Sequence, residues 1–180
     1  MSERIKQLIS EEEIDAKIKE IGEQITKDYN GEEVVLVCVL RGGSFFMCEL
    51  AKRINLPVSI DFISASSYGS GTQSSGHIKI KKDLEDSIEG KNVIVIEDII
   101  DTGRTLSHLM EFLGSRQPKS LALCTLLDKP DRRVVEVKVD YNCFTVPDFF
   151  IVGYGLDYDQ KYRNLPFIGV VELDNDEILK

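Results

Sequence analysis

The chain has 180 residues, of which 42% are hydrophobic and 29% are charged, and its formal net charge is −9 at pH 7. This composition is close to the average for soluble globular proteins and indicates neither a membrane protein nor a disordered chain. A nucleic-acid backbone would be repelled by the net negative charge, so we expect no nucleic-acid partner. A small phosphorylated ligand is compatible with the charge, because a few N–H groups, basic side chains and a divalent cation can hold a phosphate locally. The length predicts a single domain over residues 1–180 that buries roughly 70% of the surface of the unfolded chain.

The cysteines and the N-terminus bear on cellular location. No C-x-x-C pair suggests zinc or redox chemistry among the four widely spaced cysteines, Cys38, Cys48, Cys124 and Cys143. Three of them lie in apolar runs, which favours reduced core residues over a catalytic thiol. Residues 1–10 lack the apolar region of a signal peptide, and no apolar run is long enough to span a membrane. We therefore expect a cytoplasmic protein without a membrane partner.

The first predicted helix follows Ser10, which is expected to form a capping box with Glu13. Asn30 and Gly31 are expected to end it. Its apolar residues form one stripe on an otherwise charged helix: Ile14, Ile18, Ile21 and Ile25. The helix therefore has one face to bury.

Two strands joined by a glycine-containing loop and a helix come next. Residues 34–40 are apolar, as expected for a buried strand, and they lead into Arg41-Gly42-Gly43-Ser44. A helix is predicted over 45–54. After Pro57, apolar and polar residues alternate in a third strand that runs out to Tyr68.

The segment after this strand predicts a hairpin with a long tip. Residues 69–76 contain no apolar side chain, and residues 77–81 alternate as a strand. The tip, about residues 67–77, is expected to be flexible. It is either a simple linker or a lid that closes over a bound ligand.

The segment 93–106 carries the strongest functional signal. Residues 93–96 are aliphatic and predict a strand buried on both faces, and the acidic pair Glu97-Asp98 begins a loop directly after it. Asp101-Thr102-Gly103-Arg104-Thr105 follows, and leucines at helical spacing from Leu106 predict the next helix. Such a loop lies at the carboxyl end of a parallel strand, where open α/β sheets bind ligands.

The residue types in this loop suit a sugar phosphate. Adjacent carboxylates can hold vicinal hydroxyls and a hard cation, and hydroxyl and N–H groups at a helix N-terminus can hold a phosphate. The alternative is that Asp101 or Thr102 only caps the helix and that the other acids are solvated.

The rest of the chain predicts further strands over 120–127 and 149–154, and a strand over 167–171 that closes the sheet. Asp128-Lys129-Pro130-Asp131 interrupts the first of these. The alternation of strands and helices predicts an α/β fold with three layers, in which helices flank a mostly parallel central sheet.

Neither a P-loop nor a G-x-G-x-x-G turn before a helix is present, so ATP-binding and dinucleotide-binding interpretations lose support. The segment 93–106 instead resembles the phosphoribosyl-pyrophosphate signature of type I phosphoribosyltransferases. Further motifs, in order along nearly the whole chain, are similar to those of the hypoxanthine-guanine phosphoribosyltransferase family: LRGG at 40–43, SSYG at 66–69, LDK at 127–129, FIVGYGLD at 150–157 and YR at 162–163. The resemblance implies the type I phosphoribosyltransferase fold, with a small hood beside the sheet.

The resemblance also implies a magnesium-dependent enzyme of purine salvage. Such an enzyme transfers 5-phosphoribosyl from 5-phosphoribosyl 1-pyrophosphate to hypoxanthine or guanine, giving IMP or GMP and pyrophosphate. The implied residues for binding phosphoribosyl pyrophosphate are Arg41, Gly42, Ser67, Tyr68, Glu97, Asp98, Asp101, Thr102, Gly103, Arg104, Thr105 and Arg163. Those for binding the purine are Ile99, Lys129, Phe150, Ile151 and Asp157. The carboxylates implied as magnesium ligands are Glu97, Asp98 and Asp157.

Asp101 is the implied catalytic residue, because it would face N7 of the purine and either transfer a proton there or act electrostatically. Lys129 is expected at the exocyclic oxygen, where an ammonium donor favours 6-oxopurines. Considered alone, Lys129 would be a solvated loop charge and Phe150 a core residue. Arg41 stands where many relatives have lysine, which keeps the charge and leaves its contact open. The family also implies a non-proline cis peptide near Arg41 and Gly42.

Two other functions stay open on the sequence. One is a transferase on the same fold that acts on xanthine, adenine or a pyrimidine. The other is a regulator that only senses phosphoribosyl pyrophosphate, which would need a basic face that the net charge of −9 disfavours. By resemblance, the protein is expected to form a homodimer or homotetramer.

Overall fold

In the computed structural model, which describes residues 3–67 and 78–173, the chain forms two sheets and three α-helices. The strands are β1 (Glu3–Ile9), β2 (Val34–Val39), β3 (Val58–Ser67), β4 (Ile78–Lys82), β5 (Asn92–Ile100), β6 (Ser120–Asp128), β7 (Tyr141–Thr145), β8 (Ile151–Val152) and β9 (Ile168–Leu173). The helices are α1 (Glu11–Tyr29), α2 (Gly43–Ala51) and α3 (Arg104–Gly114), and Pro130–Arg132 form one 3-10 turn.

The larger sheet has six strands in the order β4-β3-β2-β5-β6-β7. Neighbours from β3 to β7 are parallel, and β4 is antiparallel to β3. Strand β2 has β3 on one side and β5 on the other. The chain therefore adds strands in one direction from β2 to β4 and in the opposite direction from β5 to β7. In open α/β sheets, ligands bind at such a point, outside the carboxyl ends of the strands. The α/β prediction is confirmed, and the reversal places the loops after β2 and β5 side by side.

Helices cover both faces of this sheet and give the three predicted layers. Helices α1 and α2 pack on the face formed by Leu36 and Ile94, and α3 packs on the face formed by Val35 and Val93. The isoleucine stripe of α1 is buried as predicted, with Ile14 completely inaccessible. Alternation along each central strand therefore supplies both cores.

The predicted boundaries of α1 are also confirmed. The backbone N–H of Glu13 donates to the Ser10 hydroxyl at 3.2 Å, and the Ser10 N–H donates to the Glu13 carboxylate at 2.8 Å. Asn30 ends the helix in the left-handed conformation, with φ of 47°.

The prediction that Glu97 and Asp98 lie in a loop is wrong. Strand β5 continues through both residues to Ile100, because its pairing with β6 extends beyond the aliphatic run to Ile99–Leu127 and Ile100–Asp128. The backbone of the acidic pair is therefore held by the sheet rather than by a loop.

The prediction that residues 167–171 close the central sheet is also wrong. Strand β9 instead pairs antiparallel with β1 and β8 in a separate three-stranded sheet, which forms the small hood. The central sheet ends at β7, a short strand that the apolar pattern did not indicate. The strand predicted over 149–154 is only Ile151–Val152. Pairing partners that lie far apart in sequence decide these assignments.

The hairpin, the cysteines and the helix lengths bear on the other fold predictions. Strands β3 and β4 form the predicted hairpin, whereas its predicted flexible tip lies outside the described residues. Cys38, Cys124 and Cys143 are buried as expected, and Cys48 is exposed. Within the part of the chain that the structure describes, no helix is both long and apolar enough to cross a membrane.

Candidate active site

The loop after β2 touches the acidic pair of β5. A Cβ atom added to Gly42 would lie 1.4 Å from Oδ2 of Asp98, so only glycine fits against that carboxylate as it stands. A Cβ at the next residue, Gly43, would lie 3.0 Å from the carbonyl oxygen of Ile96. The peptide between Leu40 and Arg41 is cis, as the family resemblance implied. The predicted pyrophosphate loop and the predicted ribose carboxylates therefore meet.

Glu97 and Asp98 point their carboxylates toward the backbone of the strand that carries them. Glu97 Oε1 accepts from the Asp98 N–H at 3.1 Å, and Asp98 Oδ1 accepts from the Ile99 N–H at 2.8 Å. Burial, and then the neighbouring Asp98 carboxylate, raises the pKa of Glu97 well above its ordinary value. A protonated Glu97 can donate a hydrogen bond to a ligand hydroxyl as well as accept one.

The raised pKa makes a prediction for stability. The folded protein holds the Glu97 proton more tightly than the unfolded chain does. The contribution of Glu97 to the free energy of unfolding is therefore complete below the ordinary pKa of a glutamate, and it is lost as the pH rises through the raised pKa of the folded protein. Glu97→Gln cannot ionise, and we expect its Tm to exceed that of the wild type at about pH 8 and to match it at about pH 4. Thermal unfolding at both pH values measures this. Glu89→Gln, at an exposed carboxylate, is the control, and a Tm difference independent of pH would contradict the explanation.

The loop 101–105 leads into α3 without a side-chain cap. Gly103 is the N-cap residue with φ of 79°, so the alternative that Asp101 or Thr102 caps the helix is wrong. The Thr102 hydroxyl accepts from the Arg104 N–H at a long distance, 3.5 Å. No acidic residue occupies the first turn of α3. The helix terminus therefore suits an anion.

A small cavity of about 160 Å³ opens at this terminus. Its lining combines the acidic strand end with the loop: Glu97, Ile99, Ile100, Asp101, Thr102, Gly103, Thr105 and Leu106. The structure thus brings together the residues predicted for ribose and for phosphate.

The segment 129–135 braces the loop from the other side. The Lys129 N–H donates to Ile100 O at 3.0 Å, and the Val134 and Val135 N–H groups donate to Thr102 O at 3.0 and 3.1 Å. A Cβ on Gly103 would lie 2.5 Å from Val135 O, so the two segments are in direct contact. The end of β6 and the loop 101–105 are therefore held together by backbone hydrogen bonds.

Lys129 is buried, with 9% of its surface exposed, so the interpretation as a solvated loop charge is wrong. Its ammonium donates to Phe149 O at 2.5 Å and lies 3.8 Å from Asp148 Oδ1. Desolvation lowers the pKa of Lys129, and the carboxylates of Asp101 and Asp148 oppose that effect. An ammonium group has three donors, so this one can bind a further acceptor.

Phe150 lies directly before the short strand β8. Its ring packs edge-on against Tyr158, with ring centroids 5.2 Å apart, and it is only partly buried. Ile151 is buried in the strand, and Ile99 is partly exposed. Phe150 and Ile99 thus keep accessible apolar surface, whereas the side chain of Ile151 is buried.

Asp157 belongs to the segment 153–163, which packs against the β2 loop. A Cβ on Gly155 would lie 2.1 Å from Gly42 O, and Arg41 donates to Gln160 Oε1 at 2.9 Å. Arg163 binds Asp157 at 2.6 Å and donates to Gly155 O at 2.7 Å. Arg41 and Arg163 therefore reach the same side of the site.

The predicted carboxylates fit a magnesium ion only with oxygen atoms from a substrate. Across residues 3–67 and 78–173, no group of three or more His, Cys, Asp or Glu side chains could hold a metal by itself. Glu97 and Asp98 are adjacent, whereas Asp157 is bound to Arg163. Magnesium commonly takes one or two protein carboxylates together with substrate phosphates, which this donor set allows.

Two predicted binding residues cannot be placed, and two further residues near the site were not predicted from the sequence. Tyr68 and the predicted lid lie outside the described residues, as does the side chain of Ser67. Sequence reasoning assigned no role to Arg132, which donates to Asp101 Oδ1 at 3.0 Å, or to Asp148 beside it. Two consecutive arginines after Asp131 were the available signal.

The fold and the site define an α/β protein in which an acidic strand end, a loop at a helix N-terminus and a buried lysine meet at the carboxyl edge of a mostly parallel sheet. The family model described as phosphoribosyl transferase domain matches residues 5–159. The chain belongs to this family of phosphoribosyl transferases.

Similar proteins agree with this assignment over nearly the whole chain. A hypoxanthine-guanine phosphoribosyltransferase of Streptococcus thermophilus is 54% identical over 165 residues, which cover 92% of each chain. A hypoxanthine phosphoribosyltransferase of Salmonella typhimurium is 52% identical over 175 residues, which cover 96% of this chain and 98% of that one. A crystal structure of a hypoxanthine-guanine phosphoribosyltransferase from Bacillus anthracis, with a HEPES molecule in its active site, has a TM-score of 0.89 at 51% identity and covers 93% of this chain and 99% of that chain. The resemblance seen in the sequence motifs is confirmed.

Proposed function

We propose that this phosphoribosyl transferase acts in purine salvage and transfers 5-phosphoribosyl from 5-phosphoribosyl 1-pyrophosphate to hypoxanthine or guanine. The products are IMP or GMP and pyrophosphate. The observation that carries the choice of base is the buried ammonium of Lys129, next to the phosphate loop. A buried cationic donor with free hydrogen-bonding capacity selects an oxygen acceptor such as the 6-oxo group, because an amino group would leave it unpaired.

The donor substrate is assigned to the two loops that meet at Asp98. Residues 101–105, at the N-terminus of α3, hold the 5-phosphate, and Glu97 and Asp98 hold the ribose hydroxyls. Arg41, Gly42 and Arg163 face the pyrophosphate, where they neutralise the charge that develops as it leaves. Ser67 and Tyr68 belong to the proposed lid.

The base is assigned to the other end of the site. Lys129 donates to the exocyclic oxygen, while Phe150 and Ile99 contact the ring with their accessible apolar surface. The backbone near Ile151, together with Asp157, reads the far edge of the purine.

In the reaction, a purine nitrogen forms a bond to the anomeric carbon of the ribose as the bond from that carbon to pyrophosphate breaks. Pyrophosphate leaves with the electron pair. The transition state resembles an oxocarbenium ion, so the protein chiefly places the two reactants and excludes water. Asp101 takes the purine proton or stabilises the positive charge that develops on the ring. Glu97, Asp98 and Asp157 would help to hold magnesium, which would neutralise charge on the pyrophosphate.

A panel of bases in one assay tests the proposal. The protein is mixed with phosphoribosyl pyrophosphate, magnesium and one of hypoxanthine, guanine, xanthine, adenine or uracil, and nucleotide and pyrophosphate are measured. We expect turnover with hypoxanthine or guanine and loss of turnover when a chelator removes magnesium. Turnover with xanthine, adenine or uracil but with neither hypoxanthine nor guanine would replace the proposal by another transferase, and no turnover with any base would favour a regulator.

Lys129→Met should separate base recognition from donor binding. We expect kcat/KM for hypoxanthine to fall about 30-fold, the cost of a lost hydrogen bond from a charged donor, with Kd for phosphoribosyl pyrophosphate little changed. Steady-state kinetics and calorimetric binding measure the two quantities. Lys19→Met, on the exposed face of α1, is the control. An equal loss of donor affinity would contradict the assigned role.

We also propose that the protein is a cytoplasmic homodimer or homotetramer. The free cysteines, three of them buried, support a reducing compartment. The oligomeric state rests on the family resemblance, and light scattering after size exclusion measures it.

A further inference from the structure

We propose that Arg132 is a positioning residue of the purine end of the site. Its guanidinium holds the carboxylates of Asp101 and Asp148 in a fixed arrangement, so that one faces the purine ring and the other orients Lys129. This inference rests on the proposed function and extends it to a residue that contacts neither substrate.

The charges form an alternating row. Arg132 Nε donates to Asp101 Oδ1 at 3.0 Å, and Arg132 NH1 lies 3.5 Å from Asp148 Oδ2. The other oxygen of Asp148, Oδ1, lies 3.8 Å from the Lys129 ammonium. The row therefore runs Asp101, Arg132, Asp148, Lys129, and Arg132 is its link between the catalytic carboxylate and the base-binding lysine.

Arg132 leaves Asp101 able to act. It contacts Oδ1 of that carboxylate, so Oδ2 keeps its accepting capacity for the purine. Without Arg132, the Asp101 side chain could rotate between staggered positions and would face the nearby Asp148 without an intervening cation.

The backbone places Arg132 rigidly enough for this role. It lies in the 3-10 turn Pro130–Arg132, where the Arg132 N–H donates to Lys129 O at 3.2 Å and the Arg133 N–H donates to Pro130 O at 3.0 Å. Arg133 donates to the carbonyl oxygen of Asp101 at 3.3 Å and pairs with Asp128. Arg133 thus binds the backbone of Asp101, and Arg132 binds its carboxylate.

The exposure of the pair argues against a purely structural role. The side chains of Arg132 and Asp101 are each 45% exposed, and exposed ion pairs contribute little to stability. A guanidinium also donates in several fixed directions, whereas an ammonium is a point charge on a flexible stem. We therefore expect substitution of Arg132 to affect catalysis more than folding.

The test measures hypoxanthine turnover, donor affinity and Tm for the wild type, Arg132→Met and Arg132→Lys. We expect Arg132→Met to lower kcat about fivefold, an effect the size of one ion pair, with Kd for phosphoribosyl pyrophosphate and Tm nearly unchanged. Arg132→Lys should recover part of the loss. In an Asp101→Asn background, Arg132→Met should lower kcat less than it does in the wild type, because one of the two carboxylates that Arg132 positions is gone.

Arg116→Met is the matched control, because Arg116 also pairs with an aspartate, Asp83, at 2.6 Å and lies outside the site. Its kcat should equal that of the wild type. If Arg132→Met behaves like this control, or if its effect adds fully to that of Asp101→Asn, the inference is wrong while the proposed function stands. A wild type that turns over neither hypoxanthine nor guanine overturns both.

Discussion

Asp101→Asn is expected to lower kcat about a thousandfold while changing Kd for phosphoribosyl pyrophosphate by less than about threefold. The carboxylate lies between the proposed phosphate loop and the proposed base end, where it lines the small cavity and contacts Arg132. Asparagine keeps the size and an accepting oxygen, but it can neither take a proton at neutral pH nor oppose positive charge on the purine. Single-turnover kinetics and binding of the donor alone measure the two effects separately.

The control for this variant is Asp86→Asn, which removes an exposed carboxylate away from the site. Its kcat and donor affinity should equal those of the wild type. A loss confined to donor binding in Asp101→Asn would contradict the catalytic role and reassign Asp101 to the phosphate loop.

Gly42→Ala is expected to lower kcat/KM for phosphoribosyl pyrophosphate at least about a hundredfold, because misplacing a substrate-positioning group by about 1 Å can cost that much. The added Cβ would fall 1.4 Å from Asp98 Oδ2, so the carboxylate must leave its position. Gly42 has φ of −62° and ψ of −39°, which alanine adopts freely, so the effect comes from the contact and not from the backbone. Kinetics with phosphoribosyl pyrophosphate as the varied substrate measure kcat/KM, and Tm checks that the variant is folded.

Gly114→Ala is the matched control, since the nearest atom to its added Cβ is the Leu121 side chain at 3.8 Å. It removes a glycine from the end of α3 and should leave activity unchanged. Full activity of Gly42→Ala would show that activity does not require the Asp98 carboxylate in its observed position, which would contradict its assignment to the ribose site.

Much of the fold followed from local pattern. The cap at Ser10, the isoleucine stripe of α1 and the aliphatic runs of β2 and β5 all depend on neighbours within a few positions. Such signals need no knowledge of the rest of the chain. The order of these elements, with the motifs in register along it, was sufficient to indicate the family.

The wrong predictions for β9 and for the end of β5 have a common physical cause. Strand β9 has an apolar pattern that suits either sheet, and its antiparallel partner β1 lies at the other end of the chain. The length of β5 depended on pairing with β6 beyond the aliphatic run. The local pattern predicts that a strand will be buried, but which strand pairs with it depends on the whole fold.

The amino-acid sequence by itself determined which residue types the candidate site contains: an acidic pair, a loop of threonines and glycine before a helix, a lysine and an aromatic ring, in family order. Only the tertiary structure decided how these groups meet. It buried Lys129, pressed Gly42 against Asp98, joined Arg41 to Gln160 across 119 positions and placed Arg132 between two carboxylates. Residue types and short spacings are written locally, whereas burial and side-chain contacts between distant loops exist only when the sheet brings its strand ends together.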